Sequence, residues 1–388
     1  MSQNRGPSPT LANDDRRGIL FLEDGSCFIG KGFGASTSAP GEVVFTTGMA
    51  GYPESLTDPS YRGQTLLFTY PLIGNYGIPS PRSRDPYGLP IGLESREVQP
   101  RAVLVRSLTQ PSHWCSAFSL DEWLKEQGVP GVSGIDTRRL TGILRSGGVQ
   151  RGLVAVGRTL PSKEELGRLL SRAPQYGDED LVKEVAPRRP TWIRSGKRGA
   201  PAVAVLDCGC KASILRSVLR RGVDILRLPP GSDFPQRWDG QKIRGYLLGN
   251  GPGDPARLQP VIEAIQGRPK GIPLLGICLG HQLLALASGA RTFKMKYGHR
   301  GQNKPVLFGA PEDRGYIVSE NHGFAVDPAS LKGIGLEAWA FDPDDGTLEG
   351  LRGASAHAFS VQGHPEGSPG PKEASFVFDE FIRRVKAA

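Results

Sequence analysis

The sequence predicts an α/β protein of two domains. The C-terminal one has a mostly parallel sheet flanked by helices, and a smaller β-rich α+β domain precedes it. Three observations carry that expectation. From Ala202 onward, short apolar runs alternate with helical stretches, the rhythm of βαβ units whose parallel strands are covered on both faces. Before about residue 160 the chain reads as short strands punctuated by turn signals. Between the two lies a stretch of low periodicity rich in Pro and Arg, the mark of a linker. The expected organisation is a polar, disordered tail over 1–14, an N-terminal domain over 15–160, a linker over 161–200 and a second domain over 201–388.

In chain order, 18–22 and 26–29 read as strands around Glu23-Asp24-Gly25, a hairpin turn signal. Further β-rich runs are 42–45, 64–69 and 101–105. Short helices are expected over 119–126 and 136–144, each opened by an N-cap residue, Ser119 or Asp136. The Pro- and Arg-rich 79–99 reads as a surface loop. Gly30-Lys-Gly-Phe-Gly34 is too loose for a dinucleotide fingerprint and reads as a hairpin bulge. Residues 163–171 form a short amphipathic helix before the linker proper. Beyond it, strands at 202–206, 224–228, 246–248 and 272–277 alternate with helices at 213–221, 256–266 and 279–288.

Composition narrows the function classes. The chain has 388 residues, 38% hydrophobic and 22% charged, enough for a large core without staples. Its five cysteines are odd in number and form no C-x-x-C pair, so neither a zinc knuckle nor a disulfide framework is indicated. The net charge of +9 sits largely in short runs such as Arg188-Arg189 and 194–198. No groove-reading motif accompanies them, so an acidic protein partner or a solvated linker is the better reading, and nucleic acid is not expected. No secretory or membrane-spanning segment is found, and a soluble cytoplasmic protein is expected.

The strongest chemical signal is Gly276-Ile277-Cys278-Leu279-Gly280-His281-Gln282. A buried strand ends, one cysteine follows and a helix begins at once: the strand–turn–helix elbow of hydrolases with sulfur in place of oxygen. Glycines two positions either side remove side chains that would collide in so sharp a turn. The helix N-terminus favours thiolate, and the amide of Leu279 is placed to donate to an oxyanion. The bland alternative is a buried structural cysteine.

A cysteine nucleophile needs a base, and the base an orienting group. Gln362-Gly363-His364-Pro365-Glu366, at the end of another strand, supplies both. In extended chain, His364 and Glu366 project to the same side, about 6.6 Å apart at roughly 3.3 Å per residue. The alternative is a capping histidine beside a surface carboxylate. Gly249-Asn-Gly-Pro-Gly-Asp-Pro255 lacks the Lys-Ser/Thr of a phosphate-binding loop, and a second oxyanion donor from Gly251 is its better use. Cys208 and Cys210 read as packing, and His113, His299 and His357 carry no signal.

These motifs resemble the class I (triad) glutamine amidotransferases. Gly41-Glu-Val-Val-Phe45, Leu56-Thr-Asp-Pro-Ser-Tyr61, Tyr70-Pro-Leu-Ile-Gly-Asn75, Ile135-Asp-Thr-Arg-Arg-Leu-Thr141 and Asn321-His-Gly-Phe-Ala-Val326 narrow the likeness. They are similar to carbamoyl-phosphate synthetase small subunits, over about residues 18–386. The resemblance implies a catalytic triad at Cys278, His364 and Glu366. It also implies L-glutamine binding by Ser60, Gly251, Gly253, Leu279, Gln282, Asn321, Gly323 and Phe324, hence a substrate held between the two domains. It implies a glutaminase that passes ammonia to a separate large subunit, in a heterodimer or higher assembly. ATP and a divalent metal (Mg) belong to that subunit, and this chain has no cofactor or metal of its own. The rival readings are a stand-alone cysteine hydrolase or different amidotransferase, and a non-catalytic scaffold subunit.

Overall fold

The computed structural model describes residues 15–309, 313–353 and 357–388; the tail expected over 1–14 lies outside the described residues. Seven strands close a barrel in the first domain. Their spatial order is Arg17–Leu22, Cys27–Gly34, Pro130–Ser133, Ala102–Val105, Gln64–Phe68, Ser38–Thr46 and Gln150–Gly157, which returns to the first. The period-2 alternation of the strands feeds two apolar clusters. Val43, Leu67, Leu104 and Val132 pack together, while Val44, Leu66, Val103 and Val105 meet Trp123 and Leu124. Those last two belong to helix Leu120–Glu126, opened by a capping box between Ser119 and Glu122. The second expected helix, Thr137–Gly147, is capped by Asp136.

Gly30 departs from expectation. It sits inside the strand Cys27–Gly34 rather than at a hairpin bulge, and a Cβ there would run into the Ser133 carbonyl. The glycine lets two barrel strands cross closely.

The second domain is built on a sheet whose middle is parallel. Strands Asp224–Leu228, Ala202–Leu206, Gln241–Leu248, Leu274–Ile277 and Ala358–Val361 lie side by side in that order, all parallel. Helices Ala212–Arg220 and Phe376–Ala387 bury Leu215, Val218, Phe378 and Phe381 on one face. Helices Gln259–Gln266 and Leu279–Ala287 bury Ile262, Ile265, Leu283 and Leu284 on the other. Four antiparallel strands extend the sheet beyond Ala358–Val361: Leu348–Gly353, Leu336–Phe341, Thr292–Phe308 and Arg314–Val326. At the opposite edge, Thr191–Ile193 from the expected linker pairs antiparallel with Asp224–Leu228. The guanidinium of Arg194 lies 4.0 Å from the Trp192 ring centroid and 2.9 Å from Asp224 Oδ2.

The 79–99 segment is a loop, but it is not confined to the surface. Leu93, Glu94, Val98 and Gln99 are buried. Glu94 reaches the second domain, where helix Ala212–Arg220 has no side-chain cap of its own. Its carboxylate accepts from the Ser213 amide (2.9 Å) and hydroxyl (2.7 Å), and its carbonyl accepts from the Ala212 amide (3.0 Å). An orphaned first turn of one domain is thus satisfied by the other. Asp85 adds an ion pair to Arg216 of the same helix at 2.7 Å.

Glu94→Ala should lower the unfolding free energy by about 1–3 kcal/mol, because the Ser213 amide is left buried without an acceptor. Urea denaturation measures this, and an unchanged midpoint counts against the cap.

Candidate active site

Cys278 stands between the buried strand Leu274–Ile277 and helix Leu279–Ala287. Its backbone lies at φ 54°, ψ −106°, a positive φ that costs a residue with a side chain about 1–3 kcal/mol. The turn closes because of its glycines. A Cβ on Gly276 would strike the Gly280 backbone, and one on Gly280 would strike the Leu248 carbonyl. Strand Ala358–Val361 is the parallel neighbour, with Ile277 opposite Val361, so Cys278 and His364 leave the sheet at the same edge. The Cys278 amide donates to the Val361 carbonyl at 2.9 Å.

Behind the sulfur runs a line of buried charge. His364 Nδ1 lies 2.7 Å from Glu366 Oε1, and Lys211 Nζ lies 2.7 Å from the same oxygen. Burial disfavours a charged His364, and Lys211 also opposes it. The Glu366 carboxylate outweighs both, with help from the Cys278 sulfur, and raises its pKa to about 10. Burial likewise pushes Glu366 up, but Lys211 and His364 together hold it down at about 2. With Nδ1 donating to the carboxylate, Nε2 is the nitrogen left for the sulfur. Among the described residues Nε2 has no well-formed hydrogen bond, yet both the charge of the Cys278 sulfur and a hydrogen bond to it help to raise the ring's pKa. Such bonds commonly tighten only around substrate. The thiol instead donates to the Asn321 carbonyl at 3.7 Å.

Cys278 is not sealed in hydrocarbon. One flank packs in an apolar cluster with Ile277 and Val361. The other borders a cavity that Ser60, Gly251, Gly253, Leu279, Gln282, Asn321, Gly323 and Phe324 also line. The structure therefore brings all eight expected binding residues to one place beside the sulfur. Asp58 ties the walls together. Its Oδ1 caps the Ser60 amide at 2.9 Å and its Oδ2 accepts from Asn321 Nδ2 at 3.0 Å. Asn250 Nδ2 donates to Ser60 Oγ at 2.9 Å, and Asn250 Oδ1 accepts from the Lys211 amide at 2.9 Å. Gln282 is locked by the Phe324 carbonyl (2.7 Å) and Gln362 Oε1 (3.0 Å). Gly251 has no room for a side chain, since a Cβ would meet the Cys208 carbonyl and Leu279. Cys208 and Cys210 are buried beside this turn, and burial pushes both thiols up.

The chain's similarity to known proteins is specific. Residues 20–154 match the carbamoyl-phosphate synthase small chain, CPSase domain, and residues 204–384 match the glutamine amidotransferase class-I family. The carbamoyl phosphate synthase small chain of Pyrococcus furiosus is 43% identical over 95% of this chain and 97% of its own length. The chain belongs to the carbamoyl phosphate synthase small-chain family. The small chain of Methanopyrus kandleri is likewise 43% identical, over 94% of this chain and 98% of its own. An arginine-specific small chain of Neurospora crassa is 39% identical over 98% of this chain and 83% of its own.

Sequence reasoning missed several residues of this family member's site. Lys211 precedes a helix like any solvated lysine, and only the fold reveals that its side chain is 3% exposed. Tyr176, from the expected linker, lines the cavity and accepts from the Gly253 amide at 2.9 Å. Gln64 and Arg300 also line it. No local pattern marks any of the four.

Two outcomes follow from the charge line. Lys211→Met removes the cation that does most to hold Glu366 down, so the acid limb of the glutaminase pH profile should move upward. Its kcat should fall, though by less than the roughly 10²–10⁴-fold that losing general acid–base catalysis costs. An unmoved acid limb would refute the coupling. His364, raised from 6.5 to about 10, stabilises the fold fully below its unfolded value and loses that contribution as pH climbs toward 10. Urea midpoints of wild type should therefore decline more steeply between pH 6 and 10 than those of His364→Asn.

Proposed function

We propose that this chain is the glutaminase subunit of a carbamoyl-phosphate synthetase, hydrolysing L-glutamine to glutamate and ammonia. The supporting observation is that the strained Cys278 lines a cavity walled by both domains, while the buried His364–Glu366–Lys211 line backs its sulfur. The Cys278 thiolate attacks the γ-carboxamide carbon of glutamine. The oxyanion that forms rests on the amides of Leu279 and Gly251. His364 gives its proton to the departing nitrogen, ammonia leaves and a γ-glutamyl thioester remains. His364, now neutral, takes a proton from water as the hydroxyl adds to the thioester; the C–S bond breaks and glutamate is released. Glu366 stays ionised throughout and holds the ring in the tautomer this requires.

Glutamine reaches Cys278 only in a cavity shaped by Ser60 of the first domain and Asn321 of the second, so both domains are needed for substrate selection. The ammonia goes to a large subunit that combines it with bicarbonate at the expense of two ATP, with the nucleotide and its Mg held there. Ammonia released into water would take up a proton and lose its lone pair, which favours a sheltered route between the subunits. No described helix is long and apolar enough to cross a membrane.

Cys278→Ser should reduce glutamate release to background, and retained turnover would exclude the thioester. Wild-type activity should be low alone and rise sharply when the large subunit is added. A chain that binds that subunit without releasing glutamate would instead be a scaffold.

A further inference from the structure

Four buried side chains on the antiparallel extension of the sheet converge without being used by the hydrolytic machinery. His299 lies on Thr292–Phe308, Glu320 and His322 on Arg314–Val326, and Glu349 on Leu348–Gly353. Opposite pairing places His299 against His322 and Gly301 against Glu320. All four residues are buried, and one ligand atom from each lies within 4.8 Å of the others.

The hydrogen bonds at the outer edge of the cluster decide what faces inward. His322 Nδ1 lies 2.9 Å from the Phe324 carbonyl, which can only accept, so Nδ1 carries the hydrogen. Its Nε2 lone pair then faces Glu320 Oε2 at 3.4 Å and Glu349 Oε1 at 3.8 Å. His299 Nε2 lies 2.9 Å from the Asp345 carboxylate, leaving Nδ1 to face Glu320 Oε2 at 2.8 Å and Glu349 Oε1 at 3.9 Å. Among the described residues Glu320 Oε1 and both oxygens of Glu349 have no hydrogen-bond partner, and His299 Nδ1, His322 Nε2 and Glu320 Oε2 have none outside the cluster itself. So many buried polar atoms without partners in one place is unusual for a folded protein. Each imidazole, meanwhile, is oriented from behind by a carbonyl or carboxylate, the arrangement that fixes metal-ligating histidines.

We infer that His299 Nδ1, Glu320, His322 Nε2 and Glu349 form a binding site for one divalent transition metal, with zinc the best fit. A tetrahedral ion with bonds of about 2.1 Å has ligand separations of roughly 3.4 Å, close to the spacings above. Two imidazoles and two carboxylates form a neutral complex with a divalent ion, as a buried site requires. Asp342 is an outer member, since Lys304 Nζ already holds its Oδ2 at 2.7 Å. Four protein ligands leave no open position, so the ion is structural. It would fasten Leu348–Gly353 to the pair of long strands. Glu320 and His322 flank Asn321, whose carbonyl receives the Cys278 thiol, and His322 itself borders the cavity. The ion would therefore set the wall against which glutamine rests.

The full-length chain, stripped with chelator and dialysed against zinc, should retain one equivalent by elemental analysis. Its melting temperature should rise with zinc and fall again on chelation. Cobalt(II) in place of zinc should give the intense visible bands of a tetrahedral site. Stripping should raise KM for glutamine more than it lowers kcat. Glu349→Gln and His322→Gln, each checked for folding by near-ultraviolet circular dichroism, should each lose at least nine-tenths of the bound metal. Another divalent transition metal at the same stoichiometry supports the site equally. Absence of stoichiometric metal, or metal that survives both substitutions, overturns it and leaves protons as the occupants of the cluster.

Discussion

A carboxylate shared by two cations in the protein interior governs the arrangement of the catalytic half. Glu366 Oε1 sits 2.7 Å from both Lys211 Nζ and His364 Nδ1, with almost no water around any of the three. Breaking such a set by removing one member leaves a buried charge uncompensated, typically far more damaging than never having had it. The line sums to one positive charge, and its free end is aimed at Cys278. In the proposed reaction, negative charge developing on sulfur and then on a tetrahedral oxygen would meet that positive end together with the amides of the elbow.

Keeping the three groups aligned requires help from outside the catalytic domain. Lys211 directly precedes helix Ala212–Arg220, whose first amides are capped by Glu94 from the barrel domain. The Lys211 amide is itself fixed by Asn250, which also holds Ser60 of the barrel domain. Asp58 closes the loop by gripping Asn321. Substrate cavity and charge line are thus two ends of one hydrogen-bonded network that crosses the domain boundary, and in a low-dielectric interior its members reinforce one another.

Much of this was legible in the sequence wherever the physics is local. The elbow around Cys278 was readable because a buried run, one cysteine and two spaced glycines leave few other ways to turn the chain. Ser119 and Asp136 announced their helices through capping chemistry. Long-range choices were not readable. The barrel's closure depends on parallel pairings between strands far apart in sequence, such as Val43 with Thr65 and Val103 with Gly131. The long strands Thr292–Phe308 and Arg314–Val326 were hidden because register shifts between Lys294 and His299, and between Gly301 and Lys304, break the two-residue alternation. Thr191–Ile193 is only three residues of edge strand amid Pro and Arg, and its composition reads as linker. Lys211, Glu94 and the His299 cluster acquire meaning only from partners more than twenty positions away.

The Glu94 cap also bears on modularity. The C-terminal half resembles an exchangeable cassette, since it has its own sheet, its own apolar layers and all three residues of the proposed triad. Yet the helix beside its general-base support begins uncapped unless a foreign loop supplies the carboxylate. A recombination that joined this half to an unrelated leading domain would inherit the nucleophile but lose the brace, so the two halves are expected to diverge as a matched pair rather than to be traded separately.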